Sequence, residues 1–556
     1  MAYEEIAAAV DAGRLMDCVR AVCTGERLSN EAEARAFDEL ERRFALAGCR
    51  VTRESLPGYV STPADASFEA GGEAFAVLTH PMTPSVEGLE APLAYVPAGD
   101  VGSGGAGEAA GRIILTDGLA MEPVVRALEE KGAAAVVFIT GEEIHNMIVS
   151  RVWGSPTPET LRDYVGIPVA SLSFGDGGRL RAKLAEEGAL WARLSTRVEN
   201  RWTGIPVLTA EIRGADEDFV MLTGHVDSWG LGALDNASGN ACAVELARIF
   251  APLASRMRRS VRFVLWSGHS HGRYAGSTAY CDAHFEELAK HCLLNVNADC
   301  LGGRGATVMT ESPAMASTRE LAATALREAA GVTNWRGCRY SRSCDQSFWG
   351  PGVPSVFSQV SEQPPFEGAA AEAFGKMFGS GRTGGFGAWW HTRTDTPDKL
   401  DPENLARDVR VFAAALAHAL LDERLPVDAG AEVLELREEI AAWQKKAGDA
   451  LDLSEVVSRL GLLADRLAAA ARADDPKTFE KRARRVLSEI IPLAYVEGSV
   501  FSHDEALRAP PVPMLRLVDG LDALSAHERN AALVKLRRAV NRLRIGVARA
   551  LEACSP

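Results

Sequence analysis

The sequence predicts a multidomain α/β protein: a mostly parallel, helix-covered sheet, interrupted by a smaller α/β insertion and followed by a helical domain. Three observations carry this. β-Rich runs alternate with helical runs between about residues 200 and 425, a second strand–helix rhythm fills about 91–184, and beyond Asp428 long Ala/Leu/Arg/Glu-rich runs take over. At 556 residues the chain is also longer than one hydrophobic core organises.

Taken in order, residues 30–50, NEAEARAFDELERRFALAGCR, put apolar side chains at helical spacing and reach Gly48 just before the extended VTRESL. That is a helix leading into a strand. GRIILTDG, VVRALEEKG, AAAVVFIT and GIPVASLS then read as strand, helix, strand and strand of a separate module. Next come the strands LTAEIRG and DFVMLTGH, the helix DNASGNACAVELARIF, and the strands RRSVRFVLWSG and CLLNVNADC. Apolar strands alternating with helices belong in a sheet covered on both faces. EVLELREEIAAWQKKAG and ERNAALVKLRRAVNRLRIGVARALEA close the chain as a helical bundle.

A formal net charge of -15 argues against nucleic acid or an anionic membrane as partner, because both are reached through basic patches. The start, MAYEEIAAAVDAGRL, lacks the basic and apolar regions of a signal peptide, and no apolar run is long enough to span a bilayer. Ten cysteines are scattered without a CxxC pair, which fits a reducing compartment. The expected location is the cytoplasm.

The strongest chemical signal is GHVDSWGLGALDNASGNA, residues 224–241, with His225 at a strand end and Asp235 just before a helix start. Imidazole and carboxylate are ordinary ligands of a borderline cation such as zinc, and the two oxygens of a carboxylate can bridge two ions. Asp227 stands where it can accept the other N–H of His225 and fix its tautomer. Alone, such an Asp is as often a helix cap and such a His a packed side chain.

The pattern His-x-Asp-Ser followed by Gly-Ala-x-Asp-Asn-x-Ser-Gly resembles the co-catalytic zinc exopeptidases, the superfamily of aminopeptidases, glutamate carboxypeptidases and the transferrin receptor. The resemblance implies that His225 is a metal ligand and that Asp235 bridges two ions. NVNADCLGG and WWHTRTDTPDKLD are similar to two later motifs of that superfamily and add Asp299 and His391 as ligands. The insertion resembles the protease-associated domain. Implied domains are 1–65 with 200–425 as the zinc-exopeptidase-like unit, 66–199 as the insertion, and 426–556 as a helical domain that makes a homodimer.

One segment departs from the superfamily. After VRFVLW the relatives carry Glu-Glu, a general base and a ligand of the second metal, whereas this chain reads SGHSHGRYAGS, residues 267–277. Aligned on Trp266 and Gly272, His269 takes the base position and Ser270 the ligand position; aligned on Gly276 and Ser277, they become Ser270 and His271. Neither register supplies a carboxylate. A neutral imidazole, with a pKa of about 6.5, suits base work at neutral pH, so His269 is the expected base and His271 a substitute ligand. Arg273 and Tyr274 are candidate substrate contacts, and Asp345 lies in a segment near the pocket with no role assigned.

The expectation is therefore a metal-dependent hydrolase acting on a peptide or small amide bond, with one or two zinc ions or another divalent transition metal. The alternatives are a non-catalytic, receptor-like binding protein and a small-molecule metalloenzyme of different chemistry.

Overall fold

The computed structural model describes residues 3–101, 109–340, 345–365, 385–506 and 509–555. One twelve-stranded sheet runs through it. Its first half is ordered Ser355–Val356, Cys292–Asn297, Phe219–His225 and Ser260–Trp266, all parallel. Every residue of Phe219–His225 and of Cys292–Asn297 is buried, so these read as continuous apolar runs, as strands covered on both faces do. Helices Glu31–Leu46, Ser238–Phe250 and Pro402–Leu421 contribute to that cover. Asn30 caps the first of them by accepting from Glu33 N at 3.0 Å.

The second half is built by the residues expected to form the insertion: Val86–Tyr95, Ile113–Asp117, Ala135–Ile139 and Val169–Leu172 are parallel, and Val77–Thr79 closes the edge antiparallel. The two halves are joined by one 23-residue strand, Leu190–Ile212, which lies antiparallel to both Ser260–Trp266 and Val86–Tyr95. The 21-residue strand Arg50–Ala70 pairs with it from Arg50↔Glu211 to Ala70↔Ala192. The expected junctions at 65/66 and 199/200 thus fall inside two continuous strands. A register shift between Pro63 and Asp65 marks the place, and such an irregularity lets a long ribbon bend without a linker.

The C-terminal helices Ala429–Ala447, Ser454–Ala473, Pro476–Tyr495 and Ala526–Ala553 share one apolar core with the first half of the sheet. Buried Arg484 donates to four backbone carbonyls, Gly352, Leu288, Ala289 and Pro351, and so fastens the bundle to the sheet. Ser525 and Glu528 form a capping box at the start of the last helix. Among the described residues no helix is long and apolar enough to cross a membrane.

Candidate metal centre

The site forms where the parallel strands end. His225 is the last residue of its strand and fully buried. Its Nδ1 faces the backbone carbonyl of Asp227 at 2.9 Å, which places the proton there and turns the Nε2 lone pair inward. The Asp227 carboxylate is 3.7 Å from that nitrogen, so the expected carboxylate–imidazole bond is corrected to a carbonyl–imidazole bond. The turn of two residues brings the main chain, not the side chain, back to the ring.

Nε2 of His225 lies 3.0 Å from Oδ1 of Asp235 and 3.6 Å from Oδ1 of Asp299. All three atoms are buried and none has a hydrogen-bond partner. Buried polar atoms are rarely left this way, and three lone pairs pointed at one another repel unless a cation sits among them. The protonation field says the same. Burial pulls the His225 imidazole down, yet the carboxylates of Asp299 and Asp235 hold it well above its usual value.

Asp235 faces both ways, because its other oxygen, Oδ2, is 3.0 Å from Nε2 of His391. Burial opposes its charge, but the two imidazoles keep its carboxyl well below the usual range. Asp395 fixes the loop beneath it, accepting from the N–H groups of Leu234 and Asp235 at 2.9 and 3.0 Å. Burial pushes Asp395 up to about 7. Buried Arg27 pins the preceding loop through the carbonyls of Val226, Leu231 and Gly232. Gly239, one residue into the following helix, has no alternative: a Cβ there would stand 2.4 Å from the Ala298 carbonyl.

His391 is held by the insertion. Its Nδ1 donates to Asn146 O at 2.8 Å, and Asn146 N donates back to His391 O at 2.8 Å. Trp390 stacks on its ring at 3.5 Å.

The loop 267–277 supplies two histidines with opposite fates. His269 stacks on His225, centroids 3.8 Å apart and planes at 7°. One ring nitrogen of His269, one of His225 and a carboxylate oxygen of Asp299 lie within 4.8 Å of one another. Its Nδ1 is 2.7 Å from Oδ2 of buried Asp345, whose Oδ1 accepts from Ser277 Oγ at 3.0 Å. Burial lowers the His269 imidazole, but Asp345 more than restores it and raises it above its usual value.

Contrary to expectation, the structure does not bring His271 together with the other candidate ligands. Both its nitrogens are engaged elsewhere, Nε2 by Ser29 Oγ at 2.8 Å and Nδ1 by Asp227 Oδ2 at 3.1 Å. Asp227 and Glu33 form an acidic pair on the side to which the His271 ring turns. The Asp227 carboxylate also accepts from His269 N and Ser270 N at 3.1 and 2.6 Å, so it shapes the loop instead of serving at the metal. Ser270 Oγ is buried without a partner.

Arg273 and Tyr274 both have positive φ, 49° and 70°, a strained conformation for non-glycine residues. Arg273 donates through Nη2 to Ala506 O at 3.1 Å, which ties one end of its guanidinium to the C-terminal segment, while its Nε is buried without a partner. Tyr274 stacks on Trp153 of the insertion at 4.0 Å and meets His269 edge-on at 4.9 Å.

Sequence reasoning passed over Cys300, whose thiol lies within 4.8 Å of ligand atoms of Asp235 and Asp299; burial, then those two carboxylates, keep it well above its usual value. It also passed over Asn146 and left Asp345 without a partner. Only Asp395 carried a readable signal, four residues after His391 in the same motif.

Residues 208–416 match the model of peptidase family M28. The chain is 29% identical over 176 residues to the glutamate carboxypeptidase 2 homolog of Caenorhabditis elegans, 30% of this chain and 21% of that one. It is 25% identical over 302 residues to aminopeptidase YwaD of Bacillus subtilis, 54% of this chain and 60% of that one. It therefore spans less than two thirds of the length of these relatives. The solved structure of BSAP, a zinc aminopeptidase from Bacillus subtilis, superposes with a TM-score of 0.56 at 21% identity, covering 74% of this chain and 96% of that one. The zinc-exopeptidase fold expected from the sequence is the fold observed.

Proposed function

We propose that this chain is a metal-dependent hydrolase, aminopeptidase- or carboxypeptidase-like, that uses a metal-activated water on a peptide or small amide bond. The observation that carries the reading is the convergence of unpartnered His225 Nε2, Asp235 Oδ1 and Asp299 Oδ1. One imidazole and two carboxylates suit zinc, and the relatives include a zinc aminopeptidase. Zinc, when bound, supplies a water of lowered pKa and polarises the substrate carbonyl.

The remaining work falls to the chain itself. His225, Asp235 and Asp299 hold the ion, and His391 faces the second oxygen of Asp235. His269 takes the place of the relatives' glutamate base: with Nδ1 bound to Asp345, its Nε2 is free to take the proton of the attacking water and return it to the leaving amine. Asp345 fixes the ring and balances the imidazolium formed in that step. Tyr274, in edge contact with His269, is the side chain placed to border the substrate.

The test is hydrolysis of a library of peptides and N-acyl amides. Turnover that chelation abolishes and zinc restores is expected; no turnover of any member by metal-loaded protein would overturn the reading. A second reading, a non-catalytic binding protein on the same frame, is favoured by the absence of any carboxylate in the loop 267–277. A purified protein holding no ion would point to it. A small-molecule metalloenzyme of other chemistry would instead hold the ion and leave the library intact. We read residues 66–199 as a protease-associated-like domain, 426–556 as the surface of a homodimer, and the cytoplasm as the location, consistent with the free cysteines among the described residues.

A further inference from the structure

The following rests on the metal-centred reading and concerns how many ions the site takes. The two oxygens of Asp235 look into unequal surroundings. On the Oδ1 side stand His225 and Asp299, both with an orphaned buried ligand atom, and every additional donor within reach, His269 and Cys300, groups with Asp299. On the Oδ2 side stands His391 alone. Among the described residues, no set of three His, Cys, Asp or Glu donors within 4.8 Å of one another includes His391.

In the register anchored on Trp266 and Gly272, the resemblance implies that the position supplying a carboxylate to that side is Ser270 here; its Oγ is buried without a partner, and a neutral hydroxyl is a poor zinc ligand. Neighbouring carboxylates do not replace it. Asp227 is spent on His269 N, Ser270 N and His271 Nδ1, and Asp345 on His269 Nδ1 and Ser277 Oγ. Charge gives the same answer. Asp235 and Asp299, the carboxylates whose oxygens face the candidate site, together carry the charge that balances one divalent ion.

We propose that this chain holds a single divalent ion on the Oδ1 side of Asp235, liganded by His225, Asp235 and Asp299, and that Ser270 is the reason. Three protein ligands leave a tetrahedral ion one position for solvent, the count of a hydrolytic site. His391 is then a positioning residue that keeps Asp235 turned toward the ion through Oδ2.

The test is metal content by inductively coupled plasma mass spectrometry on the full chain, equilibrated with zinc and passed through gel filtration. One ion per chain is expected in the parent protein. His391→Ala, or His391→Asn should the alanine protein unfold, keeps that ion with affinity reduced no more than about 100-fold, the usual effect of an outer partner. His225→Ala and Asp299→Ala lose it. Ser270→Glu, shown to be folded by circular dichroism, takes up a second ion. Two ions in the parent protein, or a His391 variant as empty as His225→Ala, would overturn the proposal; folded Ser270→Glu that stays at one would remove Ser270 as the cause. A parent protein with no ion at all defeats the metal-centred reading instead, so the two failures are distinct.

Discussion

The two sides of Asp235 are built by different parts of the chain. His225 ends one parallel strand and Asp299 follows two residues after its neighbour ends at Asn297, so their positions follow from the sheet that carries them. His391 comes from an irregular segment and is held by Asn146 of the insertion. The base loop, 267–277, lies between these regimes: it follows a buried strand, but Asp227, Asp345 and Ser29 set its shape from outside. A ligand on a strand end inherits a rigid frame, whereas one on a loop needs a partner for each ring nitrogen.

The largest effect expected beyond the ligands themselves belongs to the loop. His269→Ala should lower kcat by about 10²- to 10⁴-fold, the usual contribution of a general base, with zinc content unchanged. A parallel loss of zinc would make His269 a ligand and erase the distinction between frame and loop.

Acid should find the insertion side before the frame. His80, buried in the insertion with Nε2 on Ser171 Oγ at 2.6 Å, is pushed by burial from 6.5 down to about 4. The unfolded chain therefore takes up a proton below pH 6.5 that the folded chain refuses until about pH 4. Stability contributed by neutral His80 is present above pH 6.5 and lost as pH falls through that window, by about 3 kcal/mol in total. Urea midpoints measured across this range for parent and His80→Gln should diverge; equal slopes would rule His80 out as the source.

His271→Ala sharpens the contrast within the loop. It leaves Asp227 and Ser29 without their imidazole, and a loss of about 1–3 kcal/mol in urea unfolding is expected, with metal content retained. Loss of metal instead would reinstate His271 at the site. The smallest effect is assigned to Asn146→Ala, which removes one long side-chain bond to His391 O, 3.3 Å, while the backbone bonds remain. About 0.5–1.5 kcal/mol is expected from thermal unfolding, and a larger loss would show that the side chain of Asn146, and not its backbone, carries the insertion's hold on the site.

Much of this was legible in the residues. Strands such as DFVMLTGH and CLLNVNADC are buried on both faces, so apolar composition alone announces them. His225, Asp235, Asp299 and His391 could be picked out as candidate ligands because each stands in a local motif. Asp345 and Asn146 were not, since their value lies in what they touch 76 and 245 residues away. That the expected junctions at 65/66 and 199/200 lie within paired strands was hidden for a related reason: strand pairing runs on through a point where composition changes.

By itself the sequence determined the α/β frame, the candidate ligand residues near its strand ends, and the absence of carboxylates from the loop 267–277, because periodicity and short motifs act over a few residues. Tertiary structure alone decided which loop histidine faces the site, that Asp227 shapes the loop instead of the His225 tautomer, and that His391 leans on the insertion. Those outcomes depend on lone pairs and protons meeting across long stretches of chain, and spacing along a backbone does not encode such meetings.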